Sequence, residues 1–418
     1  MLKHTVFKED KSLNGEITLA PSKSISSRMI IIQAIRRSGL DQSKLDGSED
    51  VNVIDPSIRE GESDLTTGNT GKALRFLKAF FAKNKGVWLI TGSEWQRKRP
   101  VGEVVEILRK SRVNIKYVER TGFPPLRIIG KGLKGQISRI EASISSQVIS
   151  ATLFIAQKET PASIEELKQK VFASSYIGIT LRWLKYMGVN AAWESDESLV
   201  QHQYKDGSEM AIEADWSCVS YWYEMVALAE KATITLNGLI EDSLQSDAVV
   251  RDLFEELGVK SKFTANGLTL TKTKRKISHF EHDLTNNPDL IPTFVATCAM
   301  LKIPFRIKGV NSLRLKVNDR VESLLKVLNK LGVGASIEMD GEVEILCSNG
   351  EISIPKEQPF CIPTFDDHRI ALAFTPYSIA LESVRVENPS VVSRVYPSFW
   401  EDCKKLGFTI ESTHEACV

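Results

Sequence analysis

Four helical runs in this chain stop in the same way, and that recurrence limits the possible folds more than any single motif. They read Tyr186-Met187-Gly188-Val189, Glu256-Leu257-Gly258-Val259, Lys330-Leu331-Gly332-Val333 and Lys405-Leu406-Gly407-Phe408. Glycine takes the left-handed backbone that ends a helix, and the β-branched or aromatic residue after it opens a strand. These glycines are 70, 74 and 75 residues apart. Counting back from Gly188, Arg112 ahead of Val113-Asn114-Ile115 lies 76 residues earlier, and Gly39 a further 73. Solenoid repeats are shorter, roughly 20 to 50 residues. The spacing therefore predicts a duplicated α/β module of two helices and several strands, used six times. The competing reading is that Leu-Gly-Val is simply a common helix end. Apolar residues at three- and four-residue spacing predict helices over 101–108, 176–187, 248–257, 320–331 and 399–406, with strands at 232–236 and 341–346.

A chain of 418 residues is too long for one ordinary core, so two domains are expected. No low-complexity linker appears, and short connections near 16–20 and 211–215 are the expected crossing points. Lys plus Arg (54) nearly cancel Asp plus Glu (53), so no global field recruits nucleic acid or a membrane, and an anion site must be built locally. No apolar run approaches the roughly 20 residues that span a bilayer, and Met1-Leu2-Lys3-His4 does not open a signal peptide. The six cysteines, at 218, 298, 347, 361, 403 and 417, lack paired spacing, which fits free thiols in a reducing cytoplasm. His279 and His282, with no cysteine nearby, read as surface or strand residues rather than metal ligands.

Locally built anion sites are what the helix entrances suggest. Pro21-Ser22-Lys23-Ser24-Ile25-Ser26-Ser27-Arg28 runs into Met29-Ile30-Ile31-Ile32. Proline presets the first turn, hydroxyls satisfy the first N–H groups, and Lys23 with Arg28 adds positive charge at the positive end of the helix. An ordinary cap with solvated cations is the alternative. Thr67-Gly68-Asn69-Thr70-Gly71-Lys72 places two glycines ahead of an amphipathic run, where backbone N–H groups can approach an anion. Gln96-Arg97-Lys98-Arg99-Pro100 puts three cations before a helix-starting proline. Ser143, Ser145, Ser146 and Gln147 offer neutral donors suited to a phosphate or to sugar-like hydroxyls, or else a plain serine cap. Tyr176 opens a helical run as core or as ligand platform. Asp289 precedes the apolar 291–300; it is either an N-cap or, if it faces cations, a general base. Lys316 and Arg320 lie at i and i+4, Asp366-Asp367-His368-Arg369 precedes another apolar run, and Arg394 sits three residues before Pro397. Lys23, Arg99, Arg320, Arg369 and Arg394 thus recur at equivalent loop-to-helix junctions of different modules. A near-neutral chain that does this is expected to bind a polyanionic small molecule between its halves.

These segments resemble, in order, the motifs of the EPSP synthases within the enolpyruvyl transferase family. PSKSISSR at 21–28, GNTGKALRFL at 68–77, KRP at 98–100, GFPPLRI at 122–128, SISSQ at 143–147, YIGIT at 176–180, EADWSCVSYW at 213–222, NPDLIPT at 287–293, LKVNDR at 315–320, DDHRIALAF at 366–374 and RVYPSFW at 394–400 carry the resemblance. It implies a two-domain inside-out α/β barrel of six βαβαββ units, three per domain. Residues 1–18 plus 214–418 would form a discontinuous domain 1, and 19–213 an inserted domain 2, with the active site in the cleft between them. It implies transfer of the enolpyruvyl group of phosphoenolpyruvate (PEP) to the 5-hydroxyl of shikimate 3-phosphate, by addition and elimination through a tetrahedral ketal, releasing phosphate. No metal or organic cofactor is implied, and the expected state is a cytoplasmic monomer whose only partners are its substrates. Residue by residue, Lys23, Gly71, Arg99, Arg320, Arg369 and Arg394 would hold PEP. Ser24, Arg28, Ser145, Ser146, Gln147, Tyr176, Asp289 and Lys316 would hold shikimate 3-phosphate. Asp289 would be the base and Lys23 a proton carrier.

The departures from the family pattern bear on catalysis. Val317 stands where the family has a catalytic glutamate, and a valine transfers no proton. Arg394 replaces a lysine, keeping the charge but not a donor that readily releases a proton. Ala173 replaces a phosphate-binding serine, with Ser174 beside it; Ser27, Lys72 and Pro21 replace asparagine, threonine and glycine. A paralogue that binds phosphorylated ligands but turns over slowly or not at all is therefore the competing expectation. The sister enzyme acting on UDP-N-acetylglucosamine uses a cysteine in a first-half loop, and here no cysteine precedes Cys218.

Overall fold

The structure is a computed structural model, and it describes residues 2–22, 24–26, 28, 63–66, 86–91, 97–98, 100–110, 113–130, 150, 178–183, 190–193, 198–201, 212–314 and 318–414. The chain divides into two compact units: Met1–Ala20 with Glu213–Val418, and Pro21–Ile212.

The first unit opens with β1 (Leu2–Phe7) and β2 (Ser12–Thr18). The second unit follows with β3 (Ser63–Thr66), β4 (Gly86–Thr91), α1 (Gly102–Lys110), β5 (Asn114–Tyr117), β6 (Leu126–Gly130), β7 (Asn190–Trp193) and β8 (Ser198–Gln201). Back in the first unit come α2 (Trp216–Leu228), β9 (Lys231–Asn237), α3 (Val250–Glu256), β10 (Val259–Thr264), β11 (Gly267–Lys272) and β12 (Phe280–Asp283). Next are α4 (Ile291–Met300), β13 (Phe305–Lys308), α5 (Arg320–Lys330), β14 (Ala335–Asp340) and β15 (Val343–Ser348). The chain ends through β16 (Phe360–Ile362), α6 (His368–Phe374), β17 (Val384–Glu387), α7 (Phe399–Lys405) and β18 (Thr409–His414).

One strand pattern recurs in four sheets. In the first unit the orders are β2-β9-β11-β10, β12-β13-β15-β14 and β16-β17-β1-β18; in the second, β3-β4-β6-β5. Each is a parallel pair followed by two antiparallel pairings, so the module's first, second, fourth and third strands lie side by side. The parallel step needs a helical crossover, and the hairpin after it needs only a turn. In the sheet of β16 to β18 the fourth strand is β1, the beginning of the chain. His4 pairs with Val386 on one side and Ser412 on the other.

Each module of the first unit has one mostly apolar, nearly wholly buried helix and one amphipathic helix. In α2, α4 and α6 nearly every side chain is buried, and these three pack on one another as the unit's shared core. Helices that are apolar all round are stable only when enclosed. The amphipathic α5 buries Val321, Leu324, Val327 and Leu328 and exposes its other face. In the second unit Trp88 and Ile90 of β4 and Leu126 and Ile128 of β6 are buried at alternate positions, the mark of a sheet with one covered face.

The expected helix stops lie at Gly258, Gly332 and Gly407, with φ of +89°, +67° and +83°. After α5 the Val333 N–H reaches the Leu328 carbonyl at 2.9 Å, and after α7 Phe408 reaches Cys403 at 3.1 Å, closing the carbonyls that a helix end leaves open. Gly188 lies outside the described residues. A methyl group on Gly258 would come within 2.7 Å of the Thr273 carbonyl oxygen, whereas one on Gly341, at φ +61°, would meet nothing within 4 Å. Gly258→Ala is expected to cost about 2–4 kcal/mol and Gly341→Ala about 1 kcal/mol. Melting midpoints of the two variants measure the difference.

Candidate active site

Five entrances to α2–α6 carry polar residues that bond to one another. Asp215 caps α2, accepting from the Ser217 and Cys218 N–H groups. Asp319 caps α5 through the Glu322 N–H, and Asp367 caps α6 through the Arg369 N–H at 2.8 Å. Asp289 does not take that role. It lies in the 3-10 turn Pro288–Leu290 ahead of α4, whose N-cap is Leu290.

Its carboxylate faces cations instead. Asp289 Oδ2 is 3.0 Å from Arg369 Nη2, and Oδ1 is 3.5 Å from Arg320 Nη1. Arg369 Nη1 also donates to the Asp289 carbonyl and to the Tyr221 hydroxyl, both at 3.2 Å. Arg320 forks onto Asp367, with Nε to Oδ2 at 2.7 Å and Nη2 to Oδ1 at 3.1 Å, a planar match specific to guanidinium and carboxylate. Arg320 and Arg369 are 5% and 8% exposed, so water screens these pairs little.

The residues before α6 adopt a costly backbone to make this arrangement. Phe365 and Asp366 have φ of +51° and +56°, a region that non-glycine residues seldom occupy. Three side chains pin the turn. Asn318 donates to the Phe365 carbonyl. Arg394 donates through Nη1 to the Asp366 carbonyl at 2.9 Å and through Nη2 to its carboxylate at 2.7 Å. Asn388, itself left-handed at φ +47°, reaches Asp366 Oδ1 at 3.4 Å.

Two carboxyls of the cluster are pushed in opposite directions. Burial alone would raise Asp367, but the Arg320 guanidinium, assisted by His368 and the Arg369 N–H, outweighs it and holds the group at about 2. Asp247, in the 3-10 turn Ser246–Val249 before α3, is raised to about 6 by burial and by the neighbouring Asp289, against hydrogen bonds from Asn287 and Ser217 and the charge of Arg369. Because the folded-state value of Asp367 is depressed, its stabilisation is complete above about pH 4 and disappears as the pH falls towards 2. That contribution is about 2 kcal/mol. Asp367→Asn is expected to remove it and leave the buried Arg320 with only the longer contact to Asp289, a loss of about 3–5 kcal/mol. Urea unfolding of the variant at pH 7 measures the loss.

In the second unit Arg28 is wholly buried. Its Nε donates to Thr180 Oγ1 at 2.8 Å, Nη1 to the Ser24 carbonyl at 2.7 Å and hydroxyl at 3.3 Å, and Nη2 to Ser150 Oγ at 3.4 Å. Ser24 and Arg28 thus share one network, and Thr180 and Ser150 are partners that sequence reading did not single out.

Of the expected site residues, Asp289, Arg320 and Arg369 meet directly, and Arg394 joins them through the turn at Asp366. Lys23, Gly71, Arg99, Ser145, Ser146, Gln147, Tyr176 and Lys316 lie outside the described residues, as does Val317. Arg320 opens α5 directly behind its Asp319 cap. Sequence reading passed over Asp247 and Tyr221 as site residues and took Asp367 only as part of a helix entrance. The shared position of Asp247 at such an entrance was the available signal. His282 sits in β12, 2.9 Å from Glu256. Among the described residues no group of three His, Cys, Asp or Glu is placed to hold a metal, and no helix is long and apolar enough to cross a membrane.

Known proteins match both the sequence and the fold. The family described as EPSP synthase (3-phosphoshikimate 1-carboxyvinyltransferase) matches residues 31–403. A Bacteroides fragilis 3-phosphoshikimate 1-carboxyvinyltransferase is 37% identical over 406 residues, covering 96% of this chain and 98% of the relative. One from a Marinomonas species is 27% identical over 416 residues, covering 93% and 96%. Among solved structures, EPSP synthase from Acinetobacter baumannii superposes with a TM-score of 0.77 at 20% identity, covering 99% of this chain and all of the other. The enolpyruvyl transferase NikO from Streptomyces tendae gives a TM-score of 0.68 at 13% identity, covering 99% of each. The structural likenesses concern the fold; the sequence matches extend over nearly the whole length, and by them the chain belongs to the EPSP synthase family.

Proposed function

We propose that this chain transfers the enolpyruvyl group of PEP to the 5-hydroxyl of shikimate 3-phosphate and releases phosphate, serving aromatic amino-acid biosynthesis as a cytoplasmic monomer. What carries this reading is the Asp289 carboxylate held between the buried Arg369 and Arg320 in a chain 37% identical to a relative of that name. Lys23, Gly71, Arg99, Arg320, Arg369 and Arg394 take PEP. Ser24, Arg28, Ser145, Ser146, Gln147, Tyr176 and Lys316 take shikimate 3-phosphate. On this reading six βαβαββ units in two domains, 1–18 with 214–418 and 19–213, carry these residues.

Asp289 removes the proton of the 5-hydroxyl as oxygen attacks C2 of PEP, and Lys23 carries a proton to the methylene carbon. In the elimination that follows, the C2–O bond to phosphate breaks while Lys23 takes a proton back from the new methyl group. The C2–C3 double bond re-forms, and phosphate leaves with the proton held by Asp289. The arginine pairing makes the base substrate-dependent. While Arg369 and Arg320 hold Asp289, its affinity for a proton is low. An incoming phosphate or carboxylate competes for Arg369 Nη2 and Arg320 Nη1, whereas Arg320 Nε and Nη2 stay on Asp367. Asp289 then loses part of its positive surroundings and becomes a stronger base as the substrates arrive.

Expression of the chain in bacteria lacking this transferase tests the reading: growth without aromatic amino acids is expected. Failure to grow with the protein folded and abundant would overturn it. Val317 favours a second reading, an impaired paralogue, under which Val317→Glu rescues growth and the unaltered chain does not.

A further inference from the structure

Asp247 is a buried carboxyl for which the proposed reaction has no use. Oδ1 accepts from Asn287 Nδ2 at 2.9 Å and Oδ2 from Ser217 Oγ at 2.5 Å. Asn287 begins the turn that carries Asp289: its carbonyl accepts the Leu290 N–H at 3.0 Å, and its own N–H is fixed to the Leu284 carbonyl at 2.9 Å. Ser217 stands in the first turn of α2, so one carboxylate ties together the entrances of α2, α3 and α4. The charged groups facing it are Asp289 from the turn before α4 and Arg369 from α6; Ser217 and Asn287 face it as neutral donors.

We infer that Asp247 is a positioning residue for Asp289, fixing the Asn287–Asp289 turn and raising, through its own negative charge, the affinity of Asp289 for a proton. This rests on Asp289 being the base. Two arginines at 3.0 and 3.5 Å from Asp289 would by themselves make it a poor proton acceptor. A second carboxylate alongside offsets part of that. The interaction is mutual: Asp289 helps to raise Asp247 to about 6, and an ionised Asp247 raises Asp289 in turn. Near neutral pH Asp247 is charged and the base is strengthened; below about pH 6 it takes up a proton and that help is lost. A neutral residue in its place would keep the turn and lose the effect.

The test uses the full-length protein, Asp247→Asn and Ser217→Ala. Aspartate carboxyl titrations are followed by carbon-13 NMR, the Asp289 signal being assigned with Asp289→Asn, and kcat is measured against pH. In Asp247→Asn, Asp289 is expected to titrate about one pH unit lower. The acid limb of kcat should move down with it, and kcat at neutral pH should fall about ten-fold as the base weakens. Ser217→Ala removes one donor from the ionised form, so Asp247 should titrate higher and raise Asp289 over a narrower pH range. If Asp247→Asn does not fold, the Ser217→Ala shift decides. An unchanged Asp289 titration in a folded Asp247→Asn, or a lower kcat with an unmoved limb, would overturn the inference and leave Asp247 only structural. If the unaltered protein shows no turnover at any pH, the proposed reaction fails, while the Asp289 shift still decides the coupling.

Discussion

Asp289→Asn is expected to lower kcat by about 10²- to 10⁴-fold while shikimate 3-phosphate still binds. The amide keeps the size of the side chain and can still accept from Arg369, so the entrance to α4 stays in place. It has no useful basicity, and general-base assistance is worth about that factor. The same substitution removes one negative charge facing two buried arginines, which should tighten the hold of those arginines on an anion. A fall in kcat without a rise in the PEP KM is therefore the expected pattern. An equal rise in KM would mean that Asp289 served only to bind. Steady-state phosphate release over a PEP series separates the two.

The second large effect concerns stability. Glu224 lies in the middle of α2, wholly buried, and among the described residues neither of its oxygens has a hydrogen-bond partner. Burial pushes its carboxyl well above the usual range, and the same apolar surroundings raise Cys298 and Tyr377. A raised carboxyl acts with the opposite sign to Asp367. The folded protein keeps the Glu224 proton, while the unfolded chain releases it above about pH 4.5. Stability is therefore greatest in acid as far as Glu224 is concerned, and falls by about 1.4 kcal/mol per pH unit until the folded group also ionises. Glu224→Met fills similar space without polar atoms and is expected to stabilise the protein by about 2–4 kcal/mol at pH 7. Glu224→Gln should flatten the pH dependence and recover less, since its amide remains unsatisfied. Melting curves between pH 5 and 8 would show both, and a Glu224→Met variant no more stable than the parent would sink the idea.

The helix stops were legible because a left-handed glycine is a local requirement: the backbone at Gly258, Gly332 and Gly407 takes the conformation their sequence context asked for. The strand order was not legible. It depends on β1 joining β17 and β18 from the other end of the chain, with Val6 opposite Val384 and Ile410, and no periodicity reports such a pairing. In the site, cations at helix entrances pointed to Arg320 and Arg369, but the sequence left Asp289 open between cap and base. The structure gives the cap of α4 to Leu290 and pairs Asp289 instead with Arg369, 80 residues further on, whose side chain donates to the Asp289 carbonyl and meets its carboxylate. Asp247 was missed for a similar reason. A Ser-Asp pair before a helix looks like an ordinary start, and its significance comes from Ser217 and Asn287, 30 and 40 residues away in sequence. Glu224 was invisible for a different reason: one glutamate in an apolar run ordinarily reads as its solvent side, and α2 has none.

The central claim is tested most directly by phosphate release from PEP in the presence and absence of shikimate 3-phosphate, with Val317→Glu run alongside. The expected result is steady release by the unaltered protein that requires both substrates, with Val317→Glu changing the rate only modestly. No release, with shikimate 3-phosphate still binding by calorimetry, would contradict it. Release gained only on restoring the glutamate would place the lost activity at residue 317.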